Sequence, residues 1–174
     1  MGYHFTWKDT KPISLEVYIQ DMICTMFKLF YKLSILHYME NYIGKWRLEK
    51  NINLDGFLEY YGYNWLSRKA ASCAEVDAIF EKTSSPNVIK RTIDSTFMKN
   101  SEFYKFDGIF YLNPEKLKKR HLLKNDIIYT EVHKSTGNWN EQLHIEEDNL
   151  IVTRYWYRNK IMEKCIQIFK KVTM

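Results

Sequence analysis

Apolar and polar residues alternate in short runs along most of the chain, a pattern that predicts β-strands. Turn-forming residues such as Ser84-Ser85-Pro86-Asn87 and Ser135-Thr136-Gly137-Asn138 separate the runs. The predicted strands are residues 44–50, 75–81, 88–94, 102–106, 108–112, 118–123, 127–134, 139–145, 150–157 and 163–172. Many short strands with short turns indicate an antiparallel meander that closes into a barrel or folds as a sandwich.

A helical period marks residues 13–40, and Pro12 and Ser14 at its start are a combination typical of the beginning of a helix. The apolar positions of this segment are Met22, Met26, Leu29, Leu33 and Leu36. Their spacing predicts an amphipathic helix. Three alternatives stay open: the helix packs on the protein or on a second copy, it lies in a membrane surface, or the segment is an erroneous upstream extension of the coding sequence.

A second helical period interrupts the strands at residues 54–71, where apolar residues recur at helical spacing on both sides of Gly62. Glycine is typical of the end of a helix. We therefore predict two short helices joined by a tight turn, and we expect the pair to form a lid over the β-structure.

Length and composition restrict the class of protein. The chain has 174 residues, of which 45% are apolar and 27% charged, so we expect one domain with a real core plus an appendage. A net charge of +5 is weak evidence for any anionic partner. Cys24, Cys73 and Cys165 lie far apart, which predicts free thiols in a reducing compartment. Neither a transmembrane span nor a signal peptide is predicted.

Sequence signatures of enzymes are missing. The five histidines lack metal-ligand spacing, and no GxSxG, P-loop, GxGxxG or HExxH motif is present. We predict no catalytic activity, no cofactor and no metal site.

Several motifs, in order and spacing, resemble the intracellular lipid-binding proteins, which include the fatty-acid-binding and cellular retinol-binding proteins. The matching segments are residues 44–48 (GKWRL), 53–58 (NLDGFL), 67–71 (SRKAA), 95–102 (STFMKNSE), 147–150 (EDNL) and 165–172 (CIQIFKKV). Leu54 replaces the family's usual aromatic residue. Secreted lipocalins also begin with Gly-x-Trp, but they lack a helical pair directly after the first strand.

The resemblance implies a mostly β fold: a closed, antiparallel, up-and-down, lipocalin-like barrel capped by a helix-turn-helix lid. Residues 44–174 would form this lipid-binding domain, and residues 1–43 an N-terminal extension with the amphipathic helix. The implied function is non-covalent binding and transport of a fatty acid or retinoid by a cytoplasmic monomer.

The family's anion clamp is missing from this chain. In fatty-acid-binding proteins an Arg-x-Tyr pair on the last strand and a further arginine hold the carboxylate. Here the resemblance aligns Gln167 and Phe169 with that pair, and Leu143 with the other arginine. Gln167 can hydrogen-bond a neutral head group, which keeps a retinoid alcohol among the candidate ligands.

Other candidate ligand contacts also follow from the resemblance. Arg154 aligns with a position that faces the cavity, where a ligand carboxylate could pair with it; alternatively, the strand bulges and Arg154 faces water. His133 aligns with a cavity-lining glutamine, although a single histidine on a strand is also typical of a surface or structural position. Phe57 and Leu58 are expected on the apolar underside of the lid.

Surface charge offers a different class of function. The basic run at residues 116–124 and the exposed aromatics fit a divergent barrel that is a nucleic-acid or protein interaction module without lipid ligand. Alternating cations on an exposed strand explain the run equally well, so we expect no nucleic acid. Transient membrane contact through the lid or the N-terminal helix is a further expected interaction. A barrel filled by bulky aromatics would hold no ligand at all.

Overall fold

The computed structural model describes residues 15–113, 116–135 and 137–173. The chain divides into two compact units, Met1–Ser34 and Ile35–Met174. Helix α1 (Leu15–Tyr42) begins in the first unit and ends in the second; Pro12 and Ser14 lie outside the described residues. Among its apolar positions within the first unit, Met22, Met26, Leu29 and Leu33 are exposed. No helix in the described part of the chain is long and apolar enough to cross a bilayer.

The second unit contains a ten-stranded antiparallel sheet and two short helices. Its elements are β1 (Gly44–Ile52), α2 (Leu54–Tyr61), α3 (Trp65–Cys73), β2 (Val76–Lys82), β3 (Val88–Ser95), β4 (Lys99–Lys105), β5 (Tyr111–Leu112), β6 (Lys118–Lys124), β7 (Ile127–Lys134), β8 (Gly137–Glu146), β9 (Asn149–Arg158) and β10 (Ile161–Lys171). The predicted helical pair and the predicted antiparallel strands are confirmed. Only Tyr111–Leu112 of the predicted strand at residues 108–112 is extended.

Tight turns with left-handed backbone join three of the hairpins. The pairs Asn125–Asp126, Glu147–Asp148 and Asn159–Lys160 have positive φ at both residues, as two-residue turns of type I′ require. Asparagine and aspartate tolerate this conformation better than most residues. These turns fix the register of the hairpins β6–β7, β8–β9 and β9–β10, so alternate side chains of these strands point to the same face.

The sheet curls until its first and last strands pair. Its order is β4-β3-β2-β1-β10-β9-β8-β7-β6-β5, with β1 antiparallel to β10. Within the described residues no ladder joins the edge strands β4 and β5, so closure of the barrel by backbone hydrogen bonds is not confirmed. Side chains cross this gap instead: the Tyr111 hydroxyl donates to the Phe103 carbonyl at 3.2 Å, and Lys119 pairs with Glu102. The two residues of β5 pair with β6 alone.

Two apolar clusters occupy the interior of the second unit. The larger one contains the end of α1 and Trp46, the tryptophan of the sequence motif in β1. There the Tyr42 hydroxyl donates to the Leu143 carbonyl at 2.9 Å, and the Trp46 indole donates to the Tyr42 carbonyl at 2.8 Å. The smaller cluster joins Phe57 of α2 to Trp139 and other residues of the sheet.

Candidate ligand-binding cavity

A cavity of about 620 Å³ lies inside the curled sheet, beneath α2 and α3. Its volume is typical of sites that enclose small organic ligands. The apolar walls include Leu48, Leu54, Phe57, Leu58, Val76, Ile93, Leu117, Val132, Trp139 and Phe169. The aromatic side chains therefore leave the interior hollow, and the alternative of a filled barrel is wrong.

Charged side chains form one continuous network along the cavity wall. Glu141 Oε1 accepts from Arg91 Nη1 at 2.9 Å, and Glu141 Oε2 lies 2.7 Å from Arg154 Nε. Arg91 Nη1 also lies 3.8 Å from Glu102 Oε1, and Glu102 pairs with Lys119. All five residues line the cavity. With three cations and two carboxylates, the network carries a net charge of +1 (3 − 2).

The titratable groups in and beside the network do not neutralise its net positive charge at neutral pH. Burial alone would raise the pKa of Glu141, but the attraction of Arg154, Arg91 and Lys119 outweighs it and lowers the pKa to about 2. His121, which lies beside the network, is uncharged at neutral pH because burial lowers its pKa to about 4. Burial also raises the pKa of Tyr104 well above its ordinary value. The single positive charge of the network therefore persists at neutral pH.

Arg154 lies on the inner face of β9 and joins the network to Gln167. Its strand pairs with β8 and β10 without a shift of register at this residue, so the bulge that would turn Arg154 toward water is not found. Its Nη1 donates to Gln167 Oε1, and Gln167 Nε2 donates to Asn51 Oδ1 at 2.9 Å. The guanidinium lies 5.3 Å from the centroid of the Phe57 ring. Its side chain is only 13% exposed.

Five of the residues expected at the ligand site line the cavity together. They are Gln167, Phe169, Arg154, Phe57 and Leu58. No group of three or more His, Cys, Asp or Glu in the described ranges is placed to hold a metal ion.

The other two expected residues lie elsewhere, which corrects the sequence-based expectation. His133 is exposed and packs edge-on against Phe110, with 5.1 Å between ring centroids, because the inner positions of β7 belong to Thr130 and Val132. Leu143 does point inward, but it is fully buried in the cluster around Trp46 and does not line the cavity.

Sequence reasoning missed Arg91, Glu102, Lys119 and Glu141, although a signal was present. Alternation along β8 places Glu141 on the same face as Trp139 and as a fully buried leucine two residues later. A charged residue at an inward position of an otherwise apolar face is a strong signal, because an unpaired buried charge is so costly. Arg91 has the same position on β3.

The two lid helices differ in how they are attached. Glu59 of α2 pairs with Arg158 of β9 at 2.9 Å, and Arg158 Nη2 donates to the Gly56 carbonyl at 3.1 Å. Helix α3 has no buried residue, and its Arg68 pairs with Glu59 at 3.1 Å. Helix α2 is therefore fixed to the sheet, while α3 rests on α2.

An opening to solvent lies beside α3. Among the residues that line the cavity, Tyr63, Phe97 and Met98 are largely exposed. These residues belong to the turn between the helices and the turn between β3 and β4.

Comparison with known proteins gives a structural match without a sequence match. No family model matches the chain, and no curated protein matches it in sequence. The ligand-free lipid binding protein 8 of Caenorhabditis elegans superimposes with a TM-score of 0.67 and 19% identity, over 77% of this chain and 97% of that one. Fatty-acid-binding protein 1 of Echinococcus granulosus superimposes with a TM-score of 0.65 and 19% identity, over 77% of this chain and 99% of that one.

A third structure is the fatty acid binding protein of Schistosoma mansoni in complex with arachidonic acid. It matches with a TM-score of 0.66 and 16% identity, over 78% of this chain and 98% of that one. The chain thus has the fold of the fatty-acid-binding and other intracellular lipid-binding proteins, as the sequence motifs predicted.

Proposed function

We propose that this protein is a cytoplasmic carrier that binds one long-chain lipid carboxylate, a fatty acid or an acidic retinoid, non-covalently in the cavity. The observation that carries the proposal is the net charge of +1 on the network inside an apolar cavity. A buried, uncompensated charge is unfavourable. One carboxylate would compensate it.

The apolar wall supplies most of the affinity in this proposal. Each buried methylene contributes about 0.8 kcal/mol, so a palmitoyl chain contributes roughly 10 kcal/mol before the entropic cost of association. The head group then determines which lipid binds. This division of roles needs no chemical reaction, and none is proposed.

Arg154 is the residue proposed to hold the head group. It ends the chain of ion pairs, so it has a carboxylate partner on one side only, whereas Arg91 lies between two. Gln167 beside it offers a polar amide to the same head group. Both residues line the cavity, and a carboxylate there would leave the alkyl chain against Phe57, Leu58 and the walls near the opening.

Structural neighbours support the proposal, since several are fatty-acid-binding proteins and one holds arachidonic acid.

The alternative of a nucleic-acid interaction module receives little support from the basic run at residues 116–124. Lys119 points into the cavity, and Arg120 pairs with Glu131 at 2.5 Å. Lys118 lies 4.9 Å from the centroid of the Phe110 ring. These contacts leave few free cations for phosphates.

Native mass spectrometry tests the proposed function directly. The purified full chain is analysed with its copurifying lipids, and then titrated with palmitic acid and with a fluorescent fatty acid that reports on displacement. We expect a complex of one lipid per chain and competitive displacement by palmitic acid. Absence of any bound or displaceable lipid, together with salt-dependent binding to RNA, would support the interaction module instead.

A further inference from the structure

Glu141 lies between two guanidinium groups on opposite walls of the cavity. One oxygen contacts Arg91 of β3 and the other contacts Arg154 of β9. The side chain of Glu141 is 8% exposed and that of Arg91 is 5% exposed. An internal carboxylate thus already occupies the position between two arginines that an anionic ligand would otherwise take.

This internal carboxylate sets how much negative charge the cavity can accept. With Glu141 ionised, the network has a charge of +1, so one added anion brings it to zero. A head group with two negative charges would bring it to −1, which in a poorly solvated interior is as unfavourable as the uncompensated cation. A neutral head group would leave the charge at +1.

We infer that Glu141 is the specificity-determining residue of the cavity: as a built-in counter-ion, it restricts the head group to a single negative charge and excludes phosphate monoesters of the same chain length. The inference rests on the proposed function, because it concerns the same cavity.

The pKa of Glu141 supports this role without carrying it. Its carboxyl stays ionised far below neutral pH because Arg154, Arg91 and Lys119 surround it, which more than offsets its burial. The counter-ion therefore cannot be removed by ordinary changes of pH. Only substitution removes it.

The test compares three ligands that share one alkyl chain: palmitic acid, hexadecanol and hexadecyl phosphate, measured at pH 8 by displacement of a fluorescent fatty acid. The wild-type chain should bind palmitic acid most tightly. In Glu141→Gln the network charge rises to +2, and hexadecyl phosphate should gain about tenfold or more relative to hexadecanol, at least matching palmitic acid.

A matched control has the same change of charge outside the cavity. Glu131 is half-buried on the outer face of β7 and pairs with Arg120, so Glu131→Gln should leave the order of the three ligands unchanged. If Glu141→Gln also keeps the wild-type order of affinities for the three ligands, the inference is overturned, even if palmitic acid binds. If palmitic acid fails to bind the wild-type chain, the proposed function itself fails.

Loss of Glu141 leaves two buried arginines less well paired, so circular dichroism must verify the fold of this variant. If it does not fold, Lys119→Met decides instead. This change lowers the network charge to zero and leaves Glu141 in place. Palmitic acid should then lose its advantage over hexadecanol by about tenfold, and an unchanged advantage would overturn the inference.

Discussion

Glu141 Oε2 lies 2.7 Å from Arg154 Nε, so the arginine expected to receive a ligand carboxylate already has a protein carboxylate beside it. In a cavity with only these two charges, an anionic lipid would have no net attraction. Arg91 and Lys119 change that balance, because together with Glu102 they leave the network positive. The proposed head-group preference therefore depends on the whole network.

Substitution of Arg154 tests its place at the end of this network. Arg154→Ala removes the outer cation and brings the network charge to zero. We expect affinity for palmitic acid to fall about tenfold to a hundredfold, while affinity for retinol changes by less than about threefold. Displacement titrations of both ligands against the wild-type chain measure the difference.

Arg158 provides the control for that prediction. It lies four residues further along β9 and pairs with Glu59 of the lid on the surface. Arg158→Ala removes one positive charge from the protein, as Arg154→Ala does, but outside the network. Its effect on the ratio of the two affinities should be small. Equal losses for palmitic acid and retinol in Arg154→Ala would refute its proposed contact with the head group.

The network also indicates what sequence can and cannot predict here. Alternation along the strands, turn residues such as those at 84–87, and the helical period on both sides of Gly62 are local features, and they are sufficient to predict the antiparallel strands and the lid. The partner of an inward charge is not local. Arg91 and Glu141 are separated by 50 residues and lie on strands that are not neighbours in the sheet. Their contact depends on how the sheet curls, which no short motif encodes.

The register of β7 explains why His133 is exposed and does not line the cavity. Alignment to a family motif placed it inward, but the type I′ turn before β7 and the pairing with β8 fix Val132 on the inner face. A shift of one residue reverses the face of every side chain on a strand. Predictions of single contacts from alignment are therefore less secure than predictions of the fold.

Removal of the Tyr42 hydroxyl should destabilise the base of the sheet without affecting ligand binding. The single proton of this hydroxyl is shared between the carbonyl oxygens of Asp126 and Leu143, which lie 2.5 Å and 2.9 Å from the hydroxyl oxygen. Tyr42→Phe leaves these carbonyls without that donor, and we expect a loss of about 1–3 kcal/mol in the free energy of unfolding. Urea denaturation measures it, with Tyr157→Phe, an exposed tyrosine, as the control expected to be near neutral.

Gly137 permits a close approach of the lid to β8. A Cβ atom at this position would lie 2.2 Å from the Tyr60 hydroxyl oxygen, which itself donates to the Asn138 carbonyl at 3.1 Å. Gly137→Ala must displace Tyr60, and we expect a loss of about 1–3 kcal/mol. In a Tyr60→Ala background the same substitution should cost clearly less. An equal cost in both backgrounds, measured by thermal unfolding, would show that the contact with Tyr60 is not the cause.

His121 should make stability fall in mildly acidic solution. Its ring is buried beside Tyr104, Tyr111 and Thr130, and burial lowers its pKa from 6.5 to about 4. Below pH 6.5 the imidazole of His121 is protonated in the unfolded chain, whereas in the folded protein it stays neutral until about pH 4. The stability that His121 contributes is therefore complete above pH 6.5 and is lost as the pH falls to 4, by about 3 kcal/mol.

The variant His121→Asn separates this contribution from that of the carboxylates. Glu141 also has a lowered pKa, but its contribution is lost only below its ordinary pKa of 4.5, as the pH falls toward 2. Urea denaturation at intervals from pH 7 to about pH 3 should show a smaller decline for His121→Asn than for the wild-type chain between pH 6.5 and pH 4. The two curves should decline in parallel below about pH 4, where the carboxylates dominate. Parallel curves already between pH 6.5 and 4.5 would mean that His121 is protonated in the folded protein, and the burial of an uncharged ring beside the network would then be wrong.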